Sequence, residues 1–311
     1  MFVVRVVVVG LGFFGVLYCL LSLLIVCAWR SIRLLRIRRP STLANSLYAL
    51  RVLPLVVSFS VTVAFAVPAF LLMESGSIDE DMGTLVFGVG ALLIVAAGLF
   101  RALSTYAQTS RVVGEWLEGA QRLDAGSDLP IVRARPGTPP LLLIGISTPQ
   151  VLVSESAISL LSGDELRVAV RHETEHIRSR DNLRKLILHC APFPGTSGLE
   201  NAWYEATELA ADHAAVATRK EAIDLAVALL KLSELAPLQA LPAMTTGLMT
   251  NSMLVKLRVE RLLSWNEGNT GSVEFALVFL WGSVLTVGLY AIANYGYALL
   301  LTHQATEWFV H

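Results

Sequence analysis

The chain has 311 residues, 54% hydrophobic and 16% charged, with a formal net charge of −1. Soluble globular proteins carry about 25% charged residues, so the deficit points to a membrane protein. The near-zero net charge gives no whole-chain reason to expect a nucleic-acid partner. Three cysteines, Cys19, Cys27 and Cys190, have no spacing for a disulfide framework or a zinc ribbon.

A membrane-crossing helix needs about 20 mainly apolar residues. Phe2–Trp29 qualifies, interrupted only by Arg5. It is too long for the apolar stretch of a signal peptide and shows no small-x-small cleavage pattern before the basic cluster, so it is expected to be retained. Val52–Met73, bearing Pro54 and Pro68, is the second expected span. Leu85–Phe100 is a shorter third, extended by Gly83 and Thr84. Phe275–Leu301 is the fourth, with small and polar residues (Gly282, Ser283, Gly288, Asn294, Gly296) that suit helix contacts.

The arginines orient these spans. Arg30, Arg33, Arg36, Arg38, Arg39 and Arg51 lie between the first two, in segment 30–51. Glu74, Asp79, Glu80 and Asp81 lie between the second and third, in segment 74–83, without Lys or Arg. The positive-inside rule makes the first connection cytoplasmic and the second external. Residues 101–271 are then cytoplasmic, and both termini are external. No Lys or Arg follows Arg261, which agrees. The Arg30–Arg39 run adjoins a span, where anionic lipid attracts each residue by about 1 kcal/mol, so it reads as a lipid contact and not a nucleic-acid patch.

Within the cytoplasmic segment, Arg101–Leu123 reads as helix. "LPIVRAR", "PLLLIGIS" and "QVLVS", between Leu129 and Val153, read as two or three strands joined by proline-bearing turns. Ser162-Gly163-Asp164-Glu165 resembles a capping box and opens a helix over "LRVAVRHETEHI". His172 and His176, four residues apart, then share one helix face and can bind one Zn²⁺ together. Glu173, turned about 100° from His172, reaches a water at the metal instead of the metal. It is the candidate catalytic base. Arg180 and Asp181 read as ending or capping this helix.

A catalytic zinc needs a third protein ligand. An H-E-x-x-H-x-x-G-x-x-H scheme fails, because Ser179 and Asn182 occupy the required positions. His189, His213 and Cys190 have no arguable partner spacing. The helical stretch "WYEATELAADHAAVA" offers Glu208 as third ligand, with Asp212 one turn on to accept a free ring N–H and fix a histidine tautomer. Glu205 is the rival ligand. Arg258, in "LRVERLL", reads first as a helix-surface residue.

"HETEH" followed by "ELAAD" resembles the gluzincin membrane peptidases. The organisation is most similar to the antirepressor family typified by the β-lactam sensor-transducers of the Bla and Mec systems. Similar runs are "TPQVLVS", "GDELRVAVRHETEHIRSRDNL", "ELAAD" and "LRVERLL". The resemblance implies a mainly α fold, with four transmembrane helices and an inserted cytoplasmic α+β zincin-like metallopeptidase domain. It divides the chain at 1–100, 101–271 and 272–311. It implies one Zn²⁺ on His172, His176 and Glu208, and raises Arg258 to an oxyanion or substrate contact. Only Thr302–His311 follow the fourth span, where the sensor-transducers carry an external penicillin-binding domain, so β-lactam sensing is not implied. Heat-shock membrane peptidases place spans between the two motifs, whereas Leu186–Phe193 is too short to cross a bilayer.

The expected function is a zinc endopeptidase of a bacterial cell membrane. It would cleave a cytoplasmic protein, by resemblance a winged-helix transcriptional repressor. A quality-control or processing protease acting on membrane proteins is the second reading. A non-proteolytic zinc-binding signalling scaffold is the third.

Overall fold

The computed structural model describes residues 2–32, 39–73, 82–123, 130–135, 137–235, 246–247, 252–266, 282, 286 and 288–310. The described chain is mainly helical with one small sheet. Among the described residues, three helical stretches are long and apolar enough to cross a membrane: Val3–Trp29, Pro40–Met73 and Leu85–Leu117.

Helix α1 spans Phe2–Ile32. Helix α2, Pro40–Val61, opens on a proline at its first turn, where the missing N–H is no loss. It passes through a π-helical turn, Thr62–Ala66, into α3, Val67–Met73. Pro68 explains the wide turn. Its ring lacks the N–H that would bond the Ala64 carbonyl and crowds that carbonyl. The orphaned Ala64 oxygen accepts instead from the Tyr295 hydroxyl at 3.0 Å. Neighbouring helices commonly re-satisfy a proline-freed carbonyl in this way. Tyr295 begins helix α11, Tyr295–Val310, whose ring also packs on Phe65 at 5.4 Å.

Helix α4, Met82–Leu117, runs without a break from the third span into the following domain. It crosses α1 closely. A Cβ built on Gly15 would meet that of Ala91 at 2.6 Å, so this contact needs glycine.

The sheet contains β1 Gln121–Leu123, β2 Ile131–Ala134, β3 Leu141–Ile144, β4 Gln150–Ser154 and β5 Thr246–Gly247, in the order β1-β2-β4-β3-β5. β2 and β4 are parallel and the other pairs antiparallel. The central strands β2, β4 and β3 are buried on both faces, so alternate residues enter different cores. Leu141, Val151 and Val153 enter a core with α6, Gly163–Ser179, and α9, Arg219–Leu235. Leu142, Ile144 and Leu152 enter another with Val113, Trp116 and Leu117 of α4. Between β4 and α6 lies the short α5, Glu155–Leu160. Helices α7, Asp181–Cys190, and α8, Ser197–Ala215, follow α6, and α10 is Ser252–Leu263.

Several sequence expectations change. Pro40–Arg51, read as basic loop, is helix, because apolar positions such as Ala44 and Leu47 pack on Leu199 and Trp203 of α8. The helix read over Arg101–Leu123 stops at Leu117, and Gln121–Leu123 joins the sheet edge by pairing with β2. The third helix begins at Met82, inside the segment read as the external loop. Of the expected fourth span, residues 275–281, 283–285 and 287 lie outside the described residues. Its described part continues as helix beyond Leu301 through Val310, where a tail was expected.

Candidate metal centre

The centre is assembled from the ends of α6, α7, α8 and α10. The capping box at the start of α6 is complete. Ser162 Oγ accepts from the Glu165 N–H at 3.3 Å, and Glu165 accepts from the Ser162 N–H at 2.8 Å. Lys231 of α9 holds the same carboxylate at 2.8 Å, which fixes α6 at that end. At its other end Arg180 takes a left-handed conformation (φ 54°, ψ 40°). It is the one non-glycine with positive φ among the described residues. Such a conformation costs a non-glycine residue about 1–2 kcal/mol.

That turn has a consequence at the site. It starts α7 at once and brings Asp181 back to His176, with Oδ2 at 2.7 Å from Nδ1. His172 has a matching partner from α8, with Asp212 Oδ1 at 3.0 Å from its Nδ1. Asp181 hydrogen-bonds the His176 Nδ1, whereas Asp212 approaches the His172 Nδ1 without hydrogen-bond alignment; carboxylates so placed favour the Nδ1–H tautomer, in which a neutral imidazole offers the Nε2 lone pair. The two Nε2 atoms face each other at 3.1 Å.

Glu208 completes the triangle. One carboxylate oxygen lies 3.5 Å from His172 Nε2 and the other 3.6 Å from His176 Nε2. A tetrahedral ion with ligand distances of about 2.0–2.1 Å separates its ligands by about 3.3–3.4 Å. The Nε2–Nε2 distance and the two Glu208 distances, one to each carboxylate oxygen, lie near that value, and with one donor atom per residue the three donors are within 4.8 Å of one another. His172, His176 and Glu208 are the buried group among the described residues whose donor atoms could hold a metal ion.

Charge gives a second test of fit. Four buried carboxylates, Glu173, Asp181, Glu208 and Asp212, converge here with two buried cations, Lys185 and Arg258. With both imidazoles neutral, as metal ligands must be, and all four acids ionised, four negative and two positive charges leave a deficit of two, which one divalent cation would close. Buried unpaired charge is costly, so the donor set fits a divalent metal electrostatically as well as geometrically.

The ionisations carry the same mark. Burial pulls the His172 imidazole down, but the Asp212 and Glu208 carboxylates outweigh it and raise its pKa to about 9. Burial raises Glu208, yet Arg258 and the histidines bring it down to about 2. Burial raises the pKa of Glu173 above the usual carboxylate range.

Glu173 differs from the other acids. It is fully buried, and neither carboxylate oxygen has a hydrogen-bond partner. It follows His172 on α6 and stands beside the triangle without belonging to it.

Arg258 is 1% exposed and not on the surface of α10. Its guanidinium forks onto Asp212, Nε to Oδ2 at 2.7 Å and Nη2 to Oδ1 at 2.6 Å, while Nη1 lies 2.9 Å from Glu208 Oε2. Glu205 is exposed on α8, outside the cluster, as are His213 and the half-buried His189.

Two site residues were not found from sequence. Asp181 read as a cap, because its approach to His176 depends on the left-handed turn at Arg180. Lys185, 7% exposed, lies one turn further along α7, over the Tyr204 ring at 5.7 Å. Burial brings its ammonium down to about 8 despite the nearby Glu208, Asp181 and Glu173. The i, i+4 spacing from Asp181 was its one available signal.

No protein-family model matches the chain, and no curated protein shows significant similarity to it.

Proposed function

We propose that the chain is a membrane-embedded zinc endopeptidase of the gluzincin type. The observation that carries this reading is Glu173. A metal held only for structure needs ligands and their supports. It does not need a fully buried carboxylate without a hydrogen bond next to the donor triangle. Such a group costs stability and is kept where chemistry uses it.

His172, His176 and Glu208 would hold the zinc, with Asp212 and Asp181 beside the Nδ1 atoms of the two imidazoles. A zinc bound there would supply Lewis acidity toward the scissile carbonyl. Glu173 takes the proton of the attacking water and returns it to the leaving amine. A pKa raised by burial suits both halves of that task. Arg258 keeps Asp212 and Glu208 ionised and in place, and remains the candidate oxyanion or substrate contact.

By resemblance, the site belongs to a zincin-like domain inserted between the third and fourth spans of a bacterial cell membrane protein. The arginine asymmetry supports a cytoplasmic active site and external termini. The substrate class is then a cytoplasmic protein, and resemblance to the antirepressor family favours a winged-helix repressor.

The test is Glu173→Gln, which keeps shape and removes the base. Positioned bases contribute about 10²–10⁴-fold to rate. Cells with this variant should therefore accumulate the same uncleaved cytoplasmic protein as cells lacking the chain. Full complementation by Glu173→Gln, with none by His176→Ala, would establish the scaffold reading instead.

A further inference from the structure

The two helices that carry Asp181 and Glu208 meet at a turn seated against the membrane-spanning helices. α7 lies along α4, and α8 lies along α2. The Tyr18 hydroxyl of α1 donates to the Pro192 carbonyl in that turn at 3.1 Å, and its ring meets Phe193 edge-on at 6.1 Å. A Cβ at Gly98 of α4 would collide with the Cys190 carbonyl.

Arg51 of α2 is at the centre of this contact, 3% exposed within the candidate span Pro40–Met73. Its Nε donates to Glu200 of α8 at 2.8 Å, and Nη2 donates to the Ala191 carbonyl at the end of α7. The Thr196 hydroxyl lies 3.0 Å from the same Glu200 oxygen and 2.9 Å from the Phe193 carbonyl, so its one proton serves one of them at a time. One guanidinium thus grips both helices at their closed end. An ionisable side chain in such a segment is retained for a task and with a named partner.

The open ends carry the metal centre. Glu208 is eight residues beyond Glu200 on one helix, about 12 Å along its axis. Asp181 is at the far end of α7. Small changes where the helices join become displacements at the ligands.

We propose that Arg51 is a positioning residue for the metal centre. Through Glu200 and the Ala191 carbonyl it sets the spacing of Asp181 and Glu208. The proposal rests on reading His172, His176 and Glu208 as ligands. A fixed fork is needed, because the two acceptors lie on different elements, and a lysine can satisfy only one well.

The test uses the full chain in detergent micelles. Zinc affinity is read by chelator competition, and the cobalt-substituted site by its visible absorption. Arg51→Gln and Glu200→Gln should each weaken zinc by up to about tenfold, the lower end of what is lost when a group touching a metal ligand is removed. Both should also shift the cobalt bands, and Arg51→Lys should recover part of the loss. A folded Arg51→Gln chain with wild-type zinc affinity and cobalt spectrum, and only a lower melting midpoint, overturns the proposal. If Arg51→Gln does not fold, Glu200→Gln, which keeps the shape, decides by the same criteria. A wild-type chain that binds no zinc refutes the ligand reading and the proposal together. Wild-type binding with unchanged variants refutes the proposal alone.

Discussion

The membrane helices and the metal centre invert each other's burial. On the helices, Phe100 is 75% exposed and Leu72 73% exposed. At the centre, His172 and Glu173 are fully buried, and Arg258 and Asp212 are within a few per cent of it. In a water-soluble protein both patterns would be faults. Here each identifies what its surroundings must supply. The apolar faces need lipid. The charged interior needs paired charge and has a buried donor group that could hold a metal ion. One chain satisfies both demands because α2 and α4 carry on from the apolar region into direct packing with α8, α7 and the sheet.

Arg258→Ala tests the charged half most severely. It leaves Asp212 and Glu208 buried without their guanidinium, and breaking such a pair typically costs about 3–5 kcal/mol. The metal-free chain should melt well below wild type, and added zinc should recover part of the difference by restoring positive charge. Thermal unfolding with and without zinc checks this, and an unchanged midpoint would mean the cluster is not paired as described.

The pH response should separate metal-free from metal-bound chain. The raised pKa of His172 stabilises the metal-free fold fully below about 6.5, and that contribution is lost as pH rises through about 9. The depressed pKa of Glu208 stabilises above about 4.5, and that contribution is lost as pH falls towards about 2. Zinc binding runs the other way on the basic side, because His172 must release its proton to bind. Zinc affinity should climb by up to tenfold per pH unit between about 6.5 and 9. Flat affinity across that interval would remove His172 from the ligands.

The smallest effect belongs to the membrane half. Tyr295→Phe removes the donor to the Ala64 carbonyl freed by Pro68. Hydrogen bonds between membrane helices average about 0.6 kcal/mol, so the melting midpoint should fall slightly while zinc content stays constant. A drop as large as that of Arg258→Ala would show that this contact organises the centre too.

Legibility in the sequence followed the range of the interactions. The capping box at Ser162 and the i, i+4 pairs His172–His176 and Glu208–Asp212 are local, so spacing and helix geometry reveal them. The three apolar stretches are equally plain by length. Asp181 was hidden because a single left-handed residue decides where it points. The burial of Arg258 was hidden because its partners lie 46 and 50 residues away and on another helix. The helix over Pro40–Arg51 was missed because the arginines just before it and Arg51 at its end suggested a basic loop, while it packs on α8. The short strand Gln121–Leu123 was missed because its pairing with β2, not its own composition, defines it.

Metal content in three purified full-length chains tests the division of labour at the centre most directly. Wild type and Glu173→Gln should each carry about one zinc per chain, since neither lacks a ligand. Glu208→Ala should carry little or none, although Glu205 remains on the same helix. Loss of zinc from Glu173→Gln, or full retention by Glu208→Ala, would contradict the assignment of base and ligand.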